Sequence, residues 1–147
     1  MELYIVLCVI VLAMVYVAYN YFKIKKMDEG TAEMAEMAGI IRSGAAEFLK
    51  TEFKTITIVV LLVAAVFTLF IEKTSGITFV MGSLMSSAVC ILGMSSATYA
   101  NVRTANKSRE SLSIGETVKV ALCGGSISGL SVQAFGMLGM VLVLIIW

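Results

Sequence analysis

The chain has no histidine, no proline and a single aspartate, Asp28, in 147 residues. Without histidine it lacks the commonest general base and metal ligand, and the triads that depend on one are excluded. Charge is sparse as well. Lys, Arg, Asp and Glu make up 14% of the residues, where a soluble domain of this size carries about 25%. The net charge of +1 gives no case for nucleic-acid binding. Cys8, Cys90 and Cys123 fall in or at the edges of apolar runs and match no CxxC metal or redox spacing. They read as small, buried apolar side chains.

What is present is apolar: 59% of the chain is hydrophobic and the mean hydropathy is +0.96. Four runs, over residues 3–22, 55–71, 77–100 and 120–147, are nearly free of charge. A membrane span needs about 20 apolar residues, so each run suffices, the second only just. The expected fold is an all-α, polytopic membrane helical bundle of four transmembrane helices, forming one unit over residues 1–147 in a lipid bilayer. A cleaved leader is disfavoured for the first run. Its start carries Glu2 in place of basic residues, its core is long, and Tyr19, Tyr21 and Phe22 occupy its end.

The basic residues are unevenly placed. Six of eleven lie between Lys23 and Lys54, four between Arg103 and Lys119, and Lys73 alone lies in the short Glu72–Gly76 link. The positive-inside rule puts segments 23–54 and 101–119 in the cytoplasm and both chain ends on the outer side of the cell membrane. Thr31 is a plausible N-cap with Glu33 and Glu36 following. From there to Ile71 no proline or turn cluster intervenes, so the second helix is expected to begin in the cytoplasm and run into the membrane. At 1.5 Å per residue it would reach about 60 Å. Met34, Met37, Ile41, Gly44 or Ala45, and Phe48 define an apolar face on its extramembrane part, to be covered by a partner helix.

The third span carries Gly82, Ser86, Cys90, Gly93, Ala97 and Asn101 at steps of three and four, and the fourth carries Ala121, Gly125, Gly129, Val132 and Gly136. Such small-residue stripes let neighbouring helices approach closely in lipid. The middles of the runs hold no ionisable group, where ion pumps and proton relays keep theirs. Gln133, Ser131, Ser128 and Thr68 read as interhelical hydrogen-bonding residues. No residue is assigned as catalytic, cofactor-binding or metal-binding. Gly93, Asn101, Arg103, Thr104, Gly125 and Gly129 are the structural candidates. Arg103 reads first as an interfacial anchor with Lys107 and Arg109, and alternatively as a contact that orders the cytoplasmic face near a substrate funnel.

The string Gly93–Arg109, GMSSATYANVRTANKSR, carries the third span into a polar, basic loop. With MAEMAGIIRSGAAEFLKTEFKTI before it and ALCGGSISGL after it, it resembles the membrane-integral pyrophosphatases, pumps that couple pyrophosphate hydrolysis to H⁺ or Na⁺ transport. The family pattern often has an arginine before the fourth span's glycine, where Cys123 and Gly124 stand here. The resemblance implies homodimers of about sixteen spans per subunit, with Mg²⁺, and in some members K⁺, bound through Asp- and Lys-rich motifs on later spans. Mg²⁺–pyrophosphate chemistry needs clustered carboxylates and bases, and here the Glu residues are scattered along a helix. The expectation is therefore an N-terminal piece of such a pump, inactive alone, packing against its remaining helices. Trp147, where the sequence stops at an outer aromatic without a polar tail, points the same way. A four-span scaffold or assembly protein is the alternative. A small drug/H⁺ exporter lacks the intramembrane carboxylate it would need.

Overall fold

The computed structural model describes residues 2–146, with side chains from Leu3; Trp147 lies outside the described residues. The all-α expectation holds. Four helices follow one another, α1 (Glu2–Lys25), α2 (Ala32–Phe70), α3 (Lys73–Ser111) and α4 (Ile114–Ile146), with no strand among the described residues. All four are long and apolar enough to cross a membrane.

Local chemistry sets the connections between the helices. Gly30 sits at φ +97°, a left-handed turn that glycine adopts without penalty. Its N–H is held 3.1 Å from Asp28 Oδ1. Thr31 then caps α2, its hydroxyl accepting the Met34 N–H at 3.3 Å. The α2–α3 connection is only Ile71 and Glu72, whose N–H groups both donate to Phe67 O at 3.0 and 3.1 Å. Gly76 is thus inside α3 and not in a link, and it packs on Thr68 and on Ala64 O so closely that a Cβ would collide with both. Leu112 (φ 48°) ends α3, its N–H donating to Ser108 O at 3.2 Å.

The polar stretch after Asn101 is also helix. The expected loop over 101–119 shrinks to Leu112 and Ser113, because Asn106, Lys107, Arg109 and Glu110 are satisfied by one another and by α4 while the backbone stays helical.

Short connections make neighbours antiparallel, and the helices pack in the order α2, α3, α4, α1, with α1 also touching α3. α1 and α2 are consecutive yet do not pack on each other among the described residues. The α1–α4 seam repeats every seven residues, with Ile10, Val17 and Ile24 against Val120, Ile127, Ala134 and Val141, all buried. That is the period of left-handed knobs-into-holes packing. Of the three cysteines expected to be buried, Cys8 and Cys90 are exposed and Cys123 is half-buried, because the helices here bury narrow seams and leave wide apolar faces outward.

Candidate functional site

Four helical residues, Lys25 at the end of α1, Arg42 on α2, and Tyr99 and Arg103 on α3, converge with Met27 and Glu29 of the α1–α2 connection at the charged end of the bundle. The centre is Arg103, whose side chain is 4% exposed. The last carbonyls of any helix lack intrahelical partners, and Arg103 supplies one for Lys25, the last residue of α1, and another for Met27 just beyond it. Its Nη2 donates to Lys25 O at 3.1 Å and its Nε to Met27 O at 3.0 Å. A third bond, Nη1 to Tyr99 O at 2.9 Å, holds the guanidinium against its own helix. A cation at a helix C-terminus is also favoured by the helix dipole.

A buried guanidinium needs a counter-charge, and Glu29 provides it at 3.0 Å. The same carboxylate takes a two-pronged contact from Arg42 on α2, at 2.6 and 3.0 Å. Glu29 thereby ties three elements together. The Arg42 hydrogen bonds, then the charges of Arg42 and Arg103, hold its carboxyl below the usual carboxylate range against the opposing effect of burial. Arg42 is pushed the other way, its charged form favoured first by its bond to Glu29.

Beneath the ion pairs lies Tyr99, with Arg42 at 5.0 Å, Arg103 at 5.3 Å and Lys25 at 5.6 Å from the ring centre. Cations are attracted to the face of an aromatic ring, so one ring gathers three of them. Tyr21 meets Tyr99 edge-on at 6.2 Å and shares a 2.9 Å hydrogen bond with Ser95. Further in, Asn20 Nδ2 donates to Ser126 Oγ at 3.3 Å, and Ser96 Oγ donates to Gly124 O at 3.0 Å. These bonds join α1, α3 and α4 where the packing is tightest.

Arg103 is therefore not an interfacial anchor alongside Lys107 and Arg109. It points into the bundle, while Lys107 pairs with Glu116 at 3.1 Å and Arg109 donates to Asn106 Oδ1 at 3.0 Å. Thr104 donates to Ala100 O at 2.8 Å. Gly93 faces Ser128. Asn101 is exposed, and so are Gly125 and Gly129, beside which a Cβ would meet nothing within 4 Å. Arg103 alone of the six belongs to the charged cluster. Glu29, Arg42, Tyr99 and Lys25 complete it and were not singled out by sequence, although Tyr99 and Arg103 stand four apart on one helical face.

The cluster offers no nucleophile and no free carboxylate. Among the described residues no three of His, Cys, Asp and Glu lie together to hold a metal ion. Asp28 is turned to Gly30 N–H, Glu29 is taken by two arginines, Glu110 receives Asn106, and Glu116 receives Lys107. What this arrangement does is fix the α1–α2 connection and α2's start against α3.

The sequence profile of the inorganic H⁺ pyrophosphatase family matches residues 11–147. The chain is 42% identical over 135 residues to the K⁺-stimulated pyrophosphate-energized sodium pump of Thermotoga maritima, covering 92% of this chain and 19% of that protein. It is 35% identical over 132 residues to a putative K⁺-stimulated sodium pump of Clostridium tetani, covering 88% and 19%. It is 34% identical over 130 residues to the K⁺-insensitive pyrophosphate-energized proton pump 2 of Moorella thermoacetica, again covering 88% and 19%. The chain thus spans about a fifth of the length of the relatives it matches.

Proposed function

Because this multi-pass membrane chain belongs to the inorganic H⁺ pyrophosphatase family, we propose that it is the structural N-terminal unit of a pump driven by pyrophosphate hydrolysis. The observation that carries this reading is the family match over residues 11–147 at only a fifth of the relatives' length. In the complete assembly, Mg²⁺ would accompany pyrophosphate on other helices. The carboxylates of this chain do not fit that ion, since Asp28, Glu29, Glu110 and Glu116 are engaged by backbone N–H, arginine, asparagine and lysine groups and no three acidic side chains lie together among the described residues. The unit's contribution is to hold the charged face in shape through Arg103, Glu29 and Arg42, with segments 23–54 and 101–119 in the cytoplasm and the whole pump a homodimer. The pumped ion and any K⁺ requirement belong to the remainder, because the relatives include both sodium and proton pumps.

The test joins this chain to a relative lacking its own matching part. The Thermotoga maritima pump without those 135 residues is produced with and without the chain, and Mg²⁺-dependent phosphate release from pyrophosphate is measured in membranes. Membranes with the chain alone should release none above control. Restoration of release when both are present is expected. Release by the chain alone would place an active site within it, and failure to restore would favour a free-standing four-span scaffold.

A further inference from the structure

α1 and α2 are consecutive in the chain yet do not pack together, and each packs on α3. A strip of α3 is therefore left uncovered between them. Tyr21 of α1 marks one edge through its bond to Ser95, and Arg42 of α2 marks the other by lying over Tyr99. Ile91 stands one turn before Ser95 on that face, and Leu84 two turns before Ile91. Their relative exposures are 48% and 66%. On α1, Ala18 and Phe22 precede Lys25 at helical steps and are exposed too. The result is an apolar furrow floored by α3 and walled by α1 and α2.

The furrow ends at Tyr99, where its character changes. Lys25, Arg42 and Arg103 gather on that ring, and Glu29 is the carboxylate that pairs with both arginines. Positive charge is thus in excess, because Asp28 is turned to the Gly30 N–H. Two hydrogen-bonding groups are also unused. Lys25 forms no ion pair among the described residues, and the hydroxyl of Tyr99, unlike that of Tyr21, has no partner among them. Lys25 is the last residue of α1, just past its charge-free run. That is the depth at which lysine and tyrosine side chains meet lipid headgroups.

We propose that this furrow binds one anionic phospholipid. Its phosphate is held by Lys25 Nζ and Tyr99 Oη, and an acyl chain lies along Ile91 and Leu84 between α1 and α2. A soluble phosphate would answer the excess charge but leave the apolar strip bare. A neutral lipid would cover the strip and leave the charge unanswered. Only an anionic lipid matches both halves of the site.

The test uses the 147-residue chain, purified and delipidated in neutral detergent. It is offered equal amounts of phosphatidylglycerol and phosphatidylcholine with the same acyl chains, and retained lipid is counted by native mass spectrometry. One phosphatidylglycerol should be retained in preference to phosphatidylcholine. Lys25→Gln should weaken that retention about fivefold, the share of one lysine beside an anionic headgroup. Tyr99→Phe, which keeps the ring, and Ile91→Trp, which fills the furrow, should weaken it as well. None of the three removes a hydrogen bond or ion pair of the unit, so their thermal unfolding should match that of the unsubstituted chain. Lys119→Gln, exposed on α4 away from the furrow, should retain lipid normally. Equal retention of the two lipids overturns the proposal, as does undiminished retention by any of the three furrow variants. A loss in Lys119→Gln as large as that in Lys25→Gln would reduce the effect to general attraction by the basic end, and also overturns it. Displacement of phosphatidylglycerol by inorganic phosphate or pyrophosphate would make a soluble anion the occupant, with the same consequence.

Discussion

Arg103 performs several tasks that no other side chain combines. It closes two carbonyls at the end of α1, bonds its own helix and meets Glu29, all with a side chain 4% exposed. Removing one partner of a buried ion pair costs about 3–5 kcal/mol, so Arg103→Ala should lower stability by about 3 kcal/mol in thermal unfolding of the detergent-solubilised chain. Arg103→Lys should recover little of it, since an ammonium cannot reach the same fork of acceptors. Glu29 brings a pH dependence whose sign follows from its lowered pKa. Its stabilisation is complete above the unfolded carboxylate value of about 4.3 and is lost as pH falls through the depressed folded value. Unfolding temperatures measured from pH 7 to pH 3 should therefore drop more steeply for the native chain than for Glu29→Gln, and parallel curves would show that Glu29 is not the titrating group. The sequence put Arg103 among its candidates but could not aim its side chain. Its partners outside α3 lie 74 and more residues away, and the Asp28–Gly30 segment that holds Glu29 reads only as a turn.

Helices were legible because charge-free runs, the Thr31 cap and the missing proline leave little else for the chain to form. Their faces were not. In α1 nearly every residue is apolar, so the seven-residue spacing of Ile10, Val17 and Ile24 carries no contrast from which a buried edge could be read. In α3 and α4 small residues crowd neighbouring positions, and a stripe can be drawn through Gly125 and Gly129 as easily as through Gly124 and Ser131. The Met34–Phe48 face shows the same limit. α2 turns Ala38 toward α3 and leaves Met37, Ile41 and Phe48 largely exposed, so the expected partner covers only the edge of that face. Packing chooses between adjacent registers by contact distance. A Cβ at Gly124 would stand 2.5 Å from Ala100 Cβ, whereas one at Gly125 would meet nothing within 4 Å. Gly124→Leu should consequently destabilise the bundle by about 3 kcal/mol through overpacking. Gly125→Leu should be neutral or stabilising, since leucine is the better helix former. Circular dichroism melts of the two variants test this directly, and equal melts would mean that α3 and α4 do not meet through Gly124.

The four helices sort most of their basic charge to one end of the molecule. Lys23, Lys25, Lys26, Arg42, Arg103, Lys107, Arg109 and Lys119 lie toward the α1–α2 and α3–α4 connections, Lys50 and Lys54 lie near the middle of α2, and Lys73 lies beside the α2–α3 connection. Inverting the molecule would require the basic end to cross the bilayer, against the bias that sets the topology of short loops. The internal cluster reinforces this. Arg103 and Arg42 are spent on Glu29 and Tyr99 and Lys50 pairs with Glu47, but Lys23 and Lys26 remain exposed and available to anionic lipid headgroups at that end. The two short connections offer clean reporters, since Leu112 and Glu72 are both exposed and lie at opposite ends of α3. With the three native cysteines replaced by serine, Leu112→Cys in intact cells should resist a membrane-impermeant maleimide and react only after the membrane is opened. Glu72→Cys should react from outside at once. The reverse pattern would put the charged face, and with it the cluster around Arg103, on the outer side and would overturn the orientation proposed from the basic residues.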